Sequence, residues 1–256
     1  TAVAPILRRW LDIEVCETES FDTDLLGTFT GEIERVLSPR ECAVRKATLA
    51  CALTGLDFGL GSEGTFGTGP LGSIIAWNTE LLAWHEQRTG ITVIGTAAAP
   101  SAARRVEVTS IEAACDLVAG FPAEQAAIVR TSRGIRKGLV GPAAIRTALE
   151  DWFGADLQES VTVEYDLRAQ HCPERRERIA DAARDLVRRL QSICPRCTRP
   201  DFSPDHIEPG LPCRDCGAAT GRILRRTARC GGCGHALAFP VEDSSADPFD
   251  CEYCNP

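Results

Sequence analysis

The chain has 256 residues, 44% of them hydrophobic and 25% charged, which suits one large domain or a medium domain with a small one. No apolar run approaches the roughly 20 residues that span a bilayer, and no basic stretch with an apolar core opens the chain, so we expect no membrane partner and a cytoplasmic protein. The net charge of −8 sits in the front, where residues 1–170 hold 23 acids against 15 bases while residues 171–256 hold 13 of each, so the overall field does not attract polyanions and any phosphate there must be held locally, through a divalent metal.

In chain order, APILRRWLDI places Ile6, Leu7, Trp10 and Leu11 on one helical face, and IEV at 13–15 reads as a strand. FDTDLLGTFTGEI (21–33) is polar and glycine-punctuated, with no regular element expected. ECAVRKATLACALTG predicts a helix over 41–55 that stops at Gly55. DFGL (57–60) reads as a short buried strand, which then opens into a glycine-walled loop, GSEGTFG, carrying one carboxylate, Glu63. LLAWHEQRTGITVIG (81–95) reads as two strands turned at 88–90.

TSIEAACDLVAGF predicts a helix with a capping box of Thr109 and Glu112, ending at Gly120. AAIVR (126–130) and VTVEYDL (161–167) read as strands. PAAIRTALEDWFG (142–154) reads as a helix with Pro142 near its start and Gly154 past its end. PERRERIADAARDLVRRLQSI (173–193) is strongly amphipathic, with Ile179, Ala183, Leu186, Val187, Leu190 and Ile193 on one face. The alternation predicts a mixed, layered α/β domain over 1–171, a connecting helix over 172–193 and a small domain over 194–256. A helix standing first, in a chain without Met, leads us to expect a strand upstream of Thr1.

Eight of the thirteen cysteines form four C-x-x-C pairs: Cys194/Cys197, Cys213/Cys216, Cys230/Cys233 and Cys251/Cys254. Such a turn converges two thiolates on one tetrahedral ion, and two turns complete a closed four-cysteine shell with no open position for water. The intervals of 15 and 17 residues suit zinc-ribbon ligand sets, so we expect a double zinc-ribbon with two structural Zn2+ ions. Sequential pairing is the simpler reading; the spacing also allows a crossed one. Disulfides would need an oxidising compartment. Between the second and third pairs, RILRRTAR carries Arg222, Arg225, Arg226 and Arg229, which could follow a phosphate backbone or form a solvated arm; the arm is the preferred reading.

Several catalytic motifs fail. Leu60 stands where a nucleophile elbow needs glycine, no G-K-[ST] is present, and His85, His171, His206 and His235 form no H-E-x-x-H.

The chain resembles an uncharacterised bacterial family of unknown function. The likeness is carried by FDTDLLGTFTGEI, ALTGLDFGLGSEGTFG, AWN (76–78), EYDLRAQHCPERR (164–176) and the tail CPRC…GLPCRDCG…CEYCNP. Cys172 stands where that family more often has Asn, and the strand and G-K-E-like turn that usually open the family are not in the chain. The helix followed by an apolar strand and G-x-E-G also resembles nucleoside triphosphate pyrophosphatases of the inosine-triphosphatase type. That likeness implies Glu63 as the residue that binds Mg2+ or activates water, with Arg45 or Lys46 as basic partners. Asp22, Asp24 and Glu32 would add hard oxygen ligands, and Thr28, Thr30 and Asn78 would contact substrate. Asp166 and Arg168 could pair to order such a site, or only to tie the strand to the long helix. The expectation is a metal-dependent hydrolase of nucleoside triphosphates; the alternative is a non-catalytic zinc-ribbon adaptor for nucleic acid or protein, with the α/β part as a ligand sensor.

Overall fold

A computed structural model describes residues 2–18, 37–69 and 72–256, and of residues 72–75 the backbone only. The expectations for residues 21–33, including Asp22, Asp24, Thr28, Thr30 and Glu32, lie outside the described residues. The fold is mixed helix and sheet. It divides into two units, residues 1–185 and 186–256, and the division falls inside one long helix.

The first unit opens with α1 (Ala4–Leu11). Of its expected apolar face only Leu7 is buried, and Trp10 is exposed. Residues 12–18 form no regular element, which corrects the strand expected at 13–15. Helix α2 (Pro39–Thr54) starts two residues earlier than expected because Ser38 caps it. The Ser38 hydroxyl accepts from the Glu41 N–H at 3.3 Å and the Glu41 carboxylate accepts from the Ser38 N–H at 2.9 Å. Gly55, in the left-handed region at φ 70°, ends it as expected.

Strands β1 (Phe58–Gly69), β2 (Gly72–Glu86) and β3 (Thr92–Pro100) form an antiparallel meander. The glycine-walled stretch is therefore strand, not loop, and Glu63 sits in mid-ladder opposite Leu81. The reason lies across the sheet. Alternation puts Gly59, Gly61 and Glu63 on one face with Leu81, Ala83 and Ile94, and α2 lies on that face through Ala43 and Ala47. A Cβ on Gly59 would stand 2.0 Å from the Ala47 carbonyl oxygen, and one on Gly61 would stand 2.1 Å from that of Ala43. The glycines let a small-residue helix sit directly on a strand.

The second sheet has the order β4 (Arg105–Val108), β7 (Val161–Tyr165), β5 (Ala127–Thr131), β6 (Gly134–Leu139), all antiparallel. Its core joins Val129, Val161 and Val163 to Ile111 and Val118 of α3 (Ile111–Ala119) and to Ile145 and Leu149 of α4 (Gly141–Phe153). The sequence reading lacks β4 and β6. They stand at the ends of the strand order and carry Arg105, Arg136 and Lys137, and charge of this kind is typical of edges. The α3 cap is Ser110, whose hydroxyl accepts from the Ala113 N–H at 3.1 Å, one residue later than the expected Thr109 box. Glu112 instead sits in the first turn, where it complements the helix dipole.

Helix α5 (Pro173–Gln191) buries Ala182, Ala183, Leu186 and Val187, while Ile193 lies past its end and is exposed. In the second unit, residues 201–205 clasp its last turn: the Asp201 and Asp205 carboxylates accept from Arg189 Nη1 at 2.9 and 2.6 Å. A three-stranded sheet follows, ordered β8 (His206–Pro209), β9 (Ile223–Arg229), β10 (Ala236–Pro240). Ile223–Arg229 of RILRRTAR is thus the central strand of this sheet rather than a separate arm, with its arginines exposed. No helix among the described residues is long and apolar enough to cross a membrane.

Candidate functional site

The eight paired cysteines gather into two tetrads, Cys194/Cys197/Cys230/Cys233 and Cys213/Cys216/Cys251/Cys254. The first pair joins the third and the second joins the fourth, which corrects the sequential pairing. Within the tetrads Cys194 and Cys233 sulfurs are 3.7 Å apart, Cys197 and Cys230 3.4 Å, Cys213 and Cys254 3.9 Å, and Cys216 and Cys251 3.6 Å. Zinc–thiolate bonds of about 2.3 Å in a tetrahedron require sulfurs about 3.8 Å apart, so each tetrad has the dimensions to hold such an ion.

Each knuckle is shaped by its own backbone. An N–H just past the second knuckle cysteine folds back to the carbonyl of the first: Thr198 donates to Cys194 at 2.9 Å, Gly217 to Cys213 at 2.9 Å, Gly234 to Cys230 at 3.1 Å and Asn255 to Cys251 at 2.9 Å. The residue after the second cysteine is left-handed in three knuckles, as Gly217, Gly234 and, without glycine's freedom, Thr198 at φ 62°. Inside the turns, N–H groups of Cys233 and Gly232 hold the Cys230 thiol down at about 6, and those of Cys216 and Asp215, against burial, hold Cys213 at about 7. Bonds from neighbouring sulfurs push Cys254 and, against the Arg199 N–H, Cys197 the other way, up to about 12; metal binds the thiolate form of all of these sulfurs.

In the first unit, Lys46 of α2 meets Glu63 of β1. Lys46 Nζ donates to Glu63 Oε2 at 2.8 Å and to the Ser62 carbonyl at 3.4 Å, and Glu63 is 5% exposed. The pair exists because α2 and Glu63 share one face of the sheet. Lys46 also lines a groove of about 1390 Å3, with Leu49, Leu53, Phe58, Leu60, Leu82 and Trp84 among its apolar walls. Arg45, one residue away on the helix, is exposed.

Asn78 does not join Glu63, since alternation along β2 puts it on the opposite face. There it forms a buried network that the sequence reading missed. Asn78 Nδ2 donates to Glu80 Oε1 at 2.9 Å, and Arg175 of α5 donates to Glu80 through Nε at 2.6 Å and Nη2 at 3.3 Å. Arg175 Nη1 also donates to the Leu167 carbonyl at 2.8 Å. Gly64 makes room, since a Cβ there would lie 2.4 Å from the Glu80 carboxylate. Asn78 Oδ1 is buried with no hydrogen-bond partner among the described residues. The period-2 spacing of Asn78 and Glu80 in the polar NTE was the one available signal; Arg175 gave none. GSEG, AWN and the 164–176 segment, three stretches that carry the family resemblance, thus meet at one buried point.

Asp166 and Arg168 pair as expected. Arg168 Nε and Nη2 donate to the two Asp166 oxygens at 2.9 and 2.6 Å, and the Gly138 N–H adds a bond at 3.0 Å. Burial pushes the Asp166 carboxyl up, but the bonds from Arg168 and the charges of Arg168 and His171 outweigh it and hold the carboxyl below its usual value.

No curated protein and no solved structure matches the chain, so the likeness to inosine-triphosphatase-type enzymes has no counterpart there. A family model does match, over residues 46–256, a stretch that takes in Lys46, Glu63, the Asn78–Glu80–Arg175 network and all eight knuckle cysteines. The chain therefore belongs to DUF6671, described as a domain of unknown function.

Proposed function

We propose that the first unit is a metal-dependent hydrolase of nucleoside triphosphates or related phosphoanhydrides, and that the cysteine tetrads hold two structural zinc ions. The observation that carries the reading is the Lys46–Glu63 pair, a carboxylate almost closed off from water and bonded to an ammonium that itself lines the groove. Closed four-cysteine shells leave zinc no open position, so the chemistry belongs elsewhere.

Among the described residues four acids, Glu14, Glu17, Asp57 and Glu177, line the groove against two bases, Lys46 and Arg176. A polyphosphate enters such a groove only with a cation that offsets this charge. Mg2+ takes hard oxygens, and Glu63, which is bonded to the groove-lining Lys46 but does not itself line the groove, would supply one carboxylate where substrate phosphates complete the shell. When bound, such an ion polarises the phosphoanhydride and acidifies a water. The chain's own part is to hold Glu63 in place through the Lys46 bond and to present Lys46 Nζ to a phosphate oxygen. Asn78 faces away from Glu63, and its role in this reading is to hold Glu80 in the network behind the sheet.

The adaptor reading is weaker. Of the four arginines around β9, Arg225 is held by Glu208 at 2.5 Å and Arg222 lies 3.6 Å from Asp250.

Phosphate or pyrophosphate release from a panel of normal and deaminated nucleoside triphosphates, with and without Mg2+ or Mn2+, tests the proposal. Turnover that needs the metal and disappears in Glu63→Gln is expected. Absence of turnover across the panel, from folded protein with both tetrads loaded, overturns it.

A further inference from the structure

Chain order and strand order in the second unit are interlocked. β8 lies between Cys197 of the first tetrad and Cys213 of the second; β9 returns from Cys216 to Cys230; β10 leaves Cys233 towards Cys251. Every strand of the sheet therefore runs from one tetrad to the other, and the antiparallel order follows from that alternation. The Ala246–Cys213 bridge adds a further tie, with Arg214 N–H donating to the Ala246 carbonyl at 3.0 Å and Ala246 N–H to that of Pro212 at 2.8 Å.

The sheet has little else to hold it. One buried cluster of this unit is Cys194, Phe202, Ala228 and Cys230, of which two are metal ligands; beyond α5 the other buried apolar residues are Leu211 and Ala246 and the ligands Cys213 and Cys251. Of the larger apolar side chains of the strands, Ile207, Leu224, Leu237 and Phe239 are exposed and Ile223 is half-buried. A unit this small gains too little from apolar burial to order itself, and metal binding then supplies its folding free energy.

We infer that the two tetrads load metal as one thermodynamic unit, each raising the affinity of the other. The first ion must close chain segments of 33 to 39 residues and set the register of three strands. Those same strands end at the second tetrad, whose sulfurs are then already gathered. Sequential pairing would have made two independent beads with no such coupling. The coupling expected for sites that share an ordering transition is on the order of 5–150-fold in affinity. The inference does not depend on the hydrolase reading, because its readout is metal alone.

The test uses the full chain stripped of metal and reloaded. Native mass spectrometry after one equivalent of Zn2+ should find mainly metal-free and two-metal chains; independent equal sites give about half the chains one ion, and unequal ones give more. Co2+ titration, followed by its thiolate charge-transfer band, should show the intact tetrad weakened at least about 5-fold in Cys254→Ser and in Cys197→Ser, each an exposed ligand of the other tetrad. A one-metal species at half or more of the wild-type chains overturns the inference, as does wild-type affinity at the intact tetrad in both variants. The wild-type experiment stands even if neither variant folds.

Discussion

Gly61→Ala puts a methyl group where helix and strand backbones already touch. Its Cβ would meet the Ala43 carbonyl oxygen at 2.1 Å and the Ala47 nitrogen at 2.5 Å, and neither atom is the end of a flexible side chain. Helix α2 must therefore lift by roughly 1 Å, and a gap of that size forfeits up to about half the dispersion attraction of each facing atom pair. The facing set is Ala43, Ala47, Ala83 and Ile94, with Val44 and Leu81 at its margin. We expect a loss at or above the top of the ~1–3 kcal/mol range of overpacked cores. Gly67→Ala is the control, because nothing lies within 4 Å of its Cβ, and its φ is not in the left-handed region. That change should be neutral or stabilise by up to about 1 kcal/mol. All four tryptophans fall within residues 1–185, so their fluorescence during urea unfolding reports the first unit. If the two variants unfold within about 0.5 kcal/mol of each other, α2 is not seated on β1 and the account of these glycines is wrong.

Three further outcomes follow from the buried polar groups and the knuckles. Glu80→Ala leaves the Arg175 guanidinium buried beside Asn78, and should destabilise the first unit by about 3–5 kcal/mol; Glu80→Met with Arg175→Met should recover most of that in the same urea assay. Because the Asp166 carboxyl is held below its usual value, its contribution is fully present above the unfolded carboxylate pKa near 4 and is lost as pH falls through the lower folded value. The stability gap between wild type and Asp166→Asn should thus be constant at neutral pH and close on acidification; a gap that widens in acid would refute the assignment. Thr198→Gly relieves a β-branched residue at φ 62° and should raise the thermal midpoint of the metal-loaded protein, by about 1 kcal/mol in stability, whereas Gly217→Val should lower it.

Local chemistry was legible from the residues. Two cysteines three apart converge on an ion wherever the chain then goes, so the eight ligands could be named without a fold. Periodicity and caps likewise placed α2, α4 and α5, because a helix closes its hydrogen bonds within itself. The edge strand β4, RVEV, alternates but over only four residues, too short a run to stand out, and β6, GIRKGL, carries no alternation to read. The glycines of GSEGTFG suggested a loop because glycine serves both turns and close contacts, and at Gly61 only the helix lying across the strand separates the two.

What the tertiary structure alone decided were the pairings. Crossed tetrads link sulfurs 33 to 41 residues apart, and Arg175 reaches Glu80 across 95 residues. Glu63 and Asn78, close in sequence and expected at one site, stand on opposite faces because β1 and β2 alternate. The sequence by itself determined which residues can bind metal, carry charge or start a helix, since those properties belong to side chains and their nearest neighbours. Which of them meet was settled by sheet register and by helix-on-strand packing, because such contacts depend on chain segments that no local pattern brings together.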